Sequence, residues 1–280
     1  MRADDSGATV GRLAIIGDVG GHAEQLRWAL DRLGVNGEGL PADLIVVQVG
    51  DLVDRGPDSS GVLDIVAQLL AQQPRQWIQL TGNHEAQYLP GGSGFWPDPI
   101  ISTDVHRLRE WWASGHMRVA AAIRMPDGEE SLLTHAGLTL TSWRALGEPG
   151  SATLAAELLD ERPELIWKTG DHTRDEQAGP LWAESGAALH EPWMAYHGMV
   201  PFGQIHGHSA LVDFTEQRWR CTGRIRQRSE VDWRARHVRV RVNGRVFVGV
   251  DPCHGRTGAA QWEPLVLQDA ELLSAAPTVP

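Results

Sequence analysis

Three apolar segments end in glycine followed by an acid or an amide. Leu13-Ala14-Ile15-Ile16 runs into Gly17-Asp18, Leu44 to Val49 into Gly50-Asp51, and Trp77-Ile78-Gln79-Leu80 towards Gly82-Asn83. Runs this short and this apolar read as strands buried on both faces. Between them lie helical patterns: His22 to Leu33, with Leu26, Ala29, Leu30 and Leu33 on one face and Gly34 as a stop, and Val62 to Leu70. Strand–helix–strand–helix–strand order implies parallel pairing with right-handed crossovers, so the fold class is α/β. In such a sheet the ligand site lies beyond the carboxyl ends of the strands. Asp18, Asp51 and Asn83 should therefore converge there. One Gly-Asp is usually a turn; three at successive strand ends point to a site.

The later half changes character. Val119 to Met125 and Ser131 to Thr134 flank Asp127-Gly128, and Val238 to Val242 and Arg245 to Val250 flank Asn243-Gly244. Both are hairpin signals, so antiparallel strands are added and the sheets become mixed. Tyr88 to Thr103 and Leu140 to Val200 read as long irregular segments. No repeat or low-complexity linker interrupts the chain. A single domain over 11–267 is expected, with loose ends at 1–10 and 268–280.

A formal charge of −11 argues against a general nucleic-acid or membrane binder. From Arg218 to Arg245 there are ten arginines against Glu230 and Asp232 alone, a stretch read as a solvated face rather than a phosphate track. Cys221 and Cys253 make neither a disulfide framework nor a zinc motif. Residues 1–10 lack a signal-peptide core, and no apolar run reaches the roughly 18 residues of a membrane span. The expectation is a soluble cytoplasmic protein.

Two further strand ends carry imidazoles: Leu132-Leu133-Thr134-His135 and Gly203-Gln204-Ile205-His206-Gly207-His208. Asp, Asn and His together form a mixed oxygen and nitrogen donor set. That set suits Mn²⁺, Fe or Zn²⁺ better than Ca²⁺, and Mn²⁺ is the first expectation.

Five segments in order then resemble the motifs of calcineurin-like metallophosphoesterases. They are Gly17-Asp18-Val19-Gly20-Gly21-His22, Gly50-Asp51-Leu52-Val53-Asp54-Arg55-Gly56, Gly82-Asn83-His84-Glu85, His135-Ala136-Gly137 and Gly207-His208-Ser209. The likeness is greatest to the branch of Ser/Thr protein phosphatases and bacterial diadenosine tetraphosphatases. It implies a four-layer α-β-β-α sandwich and two metal ions. By the same resemblance Asp51 bridges the metals, Asp18 serves the first, and Asn83, His135 and a histidine of the last motif serve the second. His84 protonates the leaving oxygen, Asp54 orients it, and Arg55 holds phosphate oxygens. The residue types suit these roles. A carboxylate has two oxygens to share, a carboxylate partner favours protonated imidazole, and guanidinium forms a planar fork that matches phosphate.

The chain departs from the pattern at Gly20, where the family has a metal-binding histidine. Either the first metal position is weak, so that Gly20→His should strengthen it, or another residue fills the gap. His22 is one candidate, although it reads more naturally as the start of a helix. His206 is another: a His206-Gly207-His208 alignment gives both imidazoles to the metals, and alternate residues on a strand share a face. A second phosphate-binding arginine is absent from Leu181-Trp182-Ala183-Glu184, which argues against tight phosphomonoester binding. Phe95, Trp96, Trp111 and Trp112 follow His84 and could overhang the site and stack a nucleobase, or form a small core under a loop. The expected activity is hydrolysis of a phosphomonoester or a nucleotide polyphosphate, with a phosphorylated small molecule, a nucleotide or a phosphoprotein as partner. The alternative is a non-catalytic metal- or nucleotide-binding regulator, against which the presence of His84, Asp54 and Arg55 argues. A nuclease using the arginine stretch is a third reading, whose activity would fall steeply with salt.

Overall fold

The computed structural model describes residues 11–37, 39–170, 177–254 and 261–274. Strands β1 (Arg12–Ile16), β2 (Leu44–Gln48) and β3 (Trp77–Leu80) are parallel neighbours, joined through α1 (Ala23–Arg32) and α2 (Ser59–Gln72). The short β4 (Met117–Arg118) extends this sheet beyond α3 (Asn83–Ala86) and α4 (Ser102–Ala113). A second, mixed sheet holds β5 (Ala120–Arg124), β6 (Glu130–Thr134), β7 (Gly203–His206), β10 (Ser229–Asp232), β11 (His237–Val242), β12 (Arg245–Gly249) and β14 (Glu271–Ser274). Within it β6, β7 and β12 run parallel. The strand β13 (Leu265–Gln268) pairs with β1, and β8 (Val212–Asp213) with β9 (Arg218–Trp219) form a separate ribbon.

Alternation along each strand sorts the core into layers. Ala14, Ile16, Leu44 and Val46 face α1 and α2, where Leu26, Leu30, Leu63 and Val66 meet them. Leu13, Ile15, Ile45 and Val47 face the other sheet, meeting Ile123, Leu133, Ile205 and Val248. The opposite face of the second sheet packs Leu132, Val240 and Phe247 under α5 (Leu140–Ala145), α6 (Ala152–Glu161) and α7 (Glu191–Ala195). The result is helix, sheet, sheet, helix. Burying each leucine such as Leu26 or Leu63 stabilises this stack by about 1.5–3 kcal/mol. Asp58 caps α2, accepting from Gly61 N–H at 2.8 Å, a contact of about 1 kcal/mol.

Two expectations need correction. Leu140–Val200 is not irregular: it carries α5, α6 and α7, together with a π-helical turn over Ser185–His190. The core face of α6 is mostly alanine (Ala152, Ala155, Ala156 and Leu159), and such small side chains give weak hydrophobic contrast in sequence. The C-terminal loose end does not begin at 268, because β14 pairs antiparallel with β5 at an otherwise open sheet edge. Residues 1–10 and 275–280, also expected to be loose, lie outside the described residues. No helix among the described residues is long and apolar enough to cross a membrane.

Candidate metal centre

Asp18, Asp51 and Asn83 lie just past β1, β2 and β3, while His135 and His208 lie just past β6 and β7. The two sheets thus bring their carboxyl ends to one place. The loops there touch: a Cβ on Gly82 would stand 2.2 Å from Asp51 N, so only glycine permits the approach. Asp51, Asp54, Arg55 and His208 all adopt left-handed backbone, with φ of 58°, 67°, 59° and 64°. Such conformations cost on the order of 1–3 kcal/mol each and persist where surrounding contacts over-determine them.

At Asp51 and the two residues after it, Glu85 supplies those contacts. Its buried carboxylate accepts N–H groups from Asp51 (2.7 Å), Leu52 (2.8 Å), Val53 (3.2 Å) and Gly82 (2.8 Å). Burial and the nearby Asp51 carboxylate raise its pKa to about 7 against the pull of these donors. A glutamine has one acceptor oxygen and an NH₂ that repels donors. Glu85→Gln is therefore expected to destabilise the fold by roughly 1–3 kcal/mol for each N–H left bare. Urea unfolding measures this; a change below about 0.5 kcal/mol, as for an ordinary surface substitution, would contradict the role.

Four acceptor atoms then face one another. His135 Nε2 lies 3.0 Å from Asn83 Oδ1 and 3.3 Å from Asp51 Oδ1. His208 Nδ1 lies 3.1 Å from Asn83 Oδ1 and 3.2 Å from His135 Nε2. The His135 Nδ1–H donates to the Val49 carbonyl at 2.9 Å, which leaves Nε2 as a bare lone pair. Burial lowers the pKa of His135, and burial with the neighbouring His135 lowers His208 to about 3. Both imidazoles are thus neutral, the form that binds metal. In the His208 tautomer that leaves Nδ1 bare, four lone pairs meet here, and a cation among them would relieve their repulsion. Asp51, His135 and His208 form the candidate metal-holding group found among the described residues, and the donor set fits a divalent ion.

Asp51 keeps a second oxygen. Its Oδ2 is buried and accepts no hydrogen bond; His84 Nε2 stands 3.9 Å away. Burial would raise the Asp51 pKa, but the positive charge around it, that of His84 and Arg55 included, outweighs it and holds the carboxyl well below its usual range. Asp18 accepts from His208 N–H at 2.9 Å. Burial and the carboxylates of Asp251 and Asp51 raise its pKa well above the ordinary value.

His84 and Asp54 form a buried pair, Nδ1 to Oδ2 at 2.7 Å. Asp54 also accepts from Gln87 Nε2 (2.7 Å) and Tyr88 OH (3.0 Å), which fixes its orientation. Burial opposes charge on His84, yet Asp51 and Asp54 outweigh it and raise its pKa. Phe95 and Trp96 pack edge-on against the His84 ring at 5.0 and 4.9 Å, and Arg55 lies over Trp96 at 5.7 Å. Of the two readings open for Trp111 and Trp112, the core one holds: both lie on α4 and pack against the core.

His206 does not join the cluster. The alternation that would align it with His208 ends with β7, because His208 turns into left-handed backbone. The His206 ring packs against His190 instead, 5.7 Å between centroids. His22 caps α1 through its backbone and stacks on His254 at 4.5 Å. At Gly20, φ is +51° and an added Cβ would meet the Arg55 stem at 3.3 Å. An imidazole there would incur about 1–2 kcal/mol of backbone strain and crowd Arg55. Contrary to the expectation from sequence, Gly20→His should lower the melting temperature without tightening Mn²⁺. A tighter ion in calorimetric titration of the variant would reverse this.

Glu85, Gln87 and Tyr88 carry no assignment from the sequence, although Glu85 sits inside a quoted motif. Asp251 belongs to none of the five motifs, yet it too stands two residues past a strand end, that of β12. A cavity of about 540 Å³ opens beside these residues, with Asp18, Arg55, His208, Arg220 and Asp251 in its wall. Arg220 is a second guanidinium at the site, arriving from β9 rather than from the Leu181–Glu184 segment.

The chain resembles known proteins over most of its length. A cold-active protein tyrosine phosphatase structure covers 92% of this chain and 74% of its own, at 17% identity and a TM-score of 0.52. A cold-active protein-tyrosine phosphatase of a psychrophilic Shewanella species covers 95% and 81%, at 16% identity and a TM-score of 0.51. A protein serine/threonine phosphatase from Saccharomyces cerevisiae covers 94% and 81%, at 14% identity and a TM-score of 0.47. No curated protein matches by sequence. The family model described as calcineurin-like phosphoesterase matches residues 11–220, and the chain belongs to that family.

Proposed function

We propose that this metallophosphoesterase hydrolyses a phosphomonoester or a nucleotide polyphosphate at a dinuclear centre. The observation that carries this reading is the group of four facing acceptors on Asp51, Asn83, His135 and His208, set 3.9 Å from a carboxylate-paired His84. Asp51, Asn83, His135 and His208 would hold one ion, and Asp18 with Asp51 would hold the other. Mn²⁺ is the first candidate, with Fe or Zn²⁺ also suited to the donors. When bound, divalent ions polarise the phosphoryl group and lower the pKa of water.

The remaining work falls to the protein. The Arg55 guanidinium reaches solvent on the cavity wall and binds phosphoryl oxygens. His84 holds a proton on Nε2, turned towards Asp51, and gives it to the leaving oxygen. Asp54 holds the ring by Nδ1 and keeps it protonated. Phe95 and Trp96 exclude water from the edge of that ring. A binder without chemistry has no use for this pair, which disfavours a purely regulatory role.

Six of the ten arginines in the stretch are ion-paired: Arg218 with Glu216, Arg220 with Asp213, Arg224 with Glu191, Arg234 with Glu263, Arg241 with Glu230 and Arg245 with Glu129. That pairing supports a solvated face over a nucleic-acid track. The direct test is a panel of aryl and alkyl phosphomonoesters, phosphopeptides and dinucleoside polyphosphates, assayed with Mn²⁺. Turnover of at least one class is expected. No turnover of any, with metal verified in the protein, would remove the reading.

Asp54 also sets a pH dependence. It raises the His84 pKa, so the acid form survives to higher pH than an unpaired imidazole would. Asp54→Asn should shift the alkaline limb of kcat to lower pH as well as lower its height. An unmoved limb would mean that another group is the acid.

A further inference from the structure

Gly20 leaves the first metal position without a nitrogen ligand, and neither His22 nor His206 fills the gap. The parallel strands show what does. In the first sheet β1, β2 and β3 deliver Asp18, Asp51 and Asn83; in the second, β6 and β7 deliver His135 and His208. The remaining strand in that second parallel set, β12, ends at Gly249, and two residues later stands Asp251. Asp18 stands two residues past β1 in the same way. The two strand ends touch, since a Cβ on Gly17 would lie 2.0 Å from the Val250 carbonyl oxygen. Asp18 and Asp251 consequently share one wall of the cavity.

Resting on the dinuclear reading above, we infer that Asp251 is the third carboxylate of the first metal position, completing it with Asp18 and Asp51 in place of the imidazole missing at Gly20. Asp251 is 7% exposed. Its carboxylate is oriented by Cys253, whose N–H donates to Oδ1 at 2.8 Å and whose thiol donates to Oδ2 at 3.4 Å. His254 Nε2–H donates to the Asp18 carbonyl at 3.1 Å and locks the two segments together. Of the three acids, Asp51 is wholly buried and its Oδ2 accepts no hydrogen bond, which leaves that oxygen free to ligate. The cavity wall as a whole sets five carboxylates against the two guanidiniums of Arg55 and Arg220. Asp213 and Glu216 are ion-paired with Arg220 and Arg218, which leaves Asp18, Glu184 and Asp251 with Arg55.

The donor chemistry makes the two positions unlike. Asp18, Asp51 and Asp251 offer oxygen alone and suit hard ions such as Mg²⁺ and Mn²⁺. Asn83, His135 and His208 add nitrogen and suit Mn²⁺, Fe or Zn²⁺. Mg²⁺ should therefore fill the first position selectively.

The test is calorimetric titration of Mn²⁺ into full-length protein freed of metal, with native circular dichroism confirmed for each form. The unmodified protein should take two ions. Asp251→Asn should weaken one at least tenfold and leave the other within about threefold; His135→Asn should weaken the other. Saturating Mg²⁺ should lower the Mn²⁺ stoichiometry of the unmodified protein from two to one, a measurement that needs no variant. The inference is overturned by a single ion in the unmodified protein, by Asp251→Asn keeping or losing both ions while folded, or by Mg²⁺ displacing neither or both. Two ions bound without phosphoester turnover would sink the functional reading and leave this assignment standing.

Discussion

His84→Asn is expected to lower kcat by roughly 10²- to 10⁴-fold, the usual worth of a positioned general acid. Asparagine keeps a polar side chain of shorter reach but cannot give up a proton. The His84 backbone N–H, which donates to Asp51 Oδ1 at 3.0 Å, is unaffected by the change, so the Asp51 carboxylate should stay in place. The deficit should therefore depend on the leaving group. An alkyl phosphate, whose alkoxide needs protonation, should show the full loss, and a nitrophenyl phosphate only a fraction of it. Equal losses on both would mean that His84 positions phosphate or supports a metal, and the Asp54–His84 pair would then need another purpose.

Much of this site was legible because its chemistry sits at strand ends. Glycine followed by an acid or amide after an apolar run is a local signal. It located Asp18, Asp51 and Asn83 before any coordinates, and the structure brings them to one place with His135 and His208. The local signal fails where geometry depends on what a strand does next. His206 and His208 are two apart, which in an extended strand means one face; His208 leaves the strand with φ of 64°, and the two rings part. Gly20 illustrates the same limit. A missing ligand invites its restoration, but the positive φ and the Arg55 stem that occupy the position arise from tertiary packing. Glu85 is visible as a letter in a motif, whereas its four backbone partners come from two separate loops, Asp51 to Val53 and Gly82. Asp251 lies beyond the five recognisable segments, and only the contact of β12 with the end of β1 gives it a role. In the fold, the alternating apolar runs revealed the first sheet, while the alanine face of α6 and the edge strand β14 carried too little contrast to be read.

The central claim is that phosphoester hydrolysis here depends on divalent metal held by these side chains. Two neutral imidazoles, the Asn83 amide oxygen and the Asp51 carboxylate meet at 3.0–3.3 Å, a donor set that fits a divalent cation. The same ions are needed to offset the negative charge of the substrate. Protein stripped by chelator, with metal content verified by elemental analysis, should show no turnover of any substrate found active, and stoichiometric Mn²⁺ should restore it. Loss and recovery should track occupancy rather than folding, so circular dichroism of the stripped protein should stay native. Undiminished turnover in a verified metal-free sample would contradict the account.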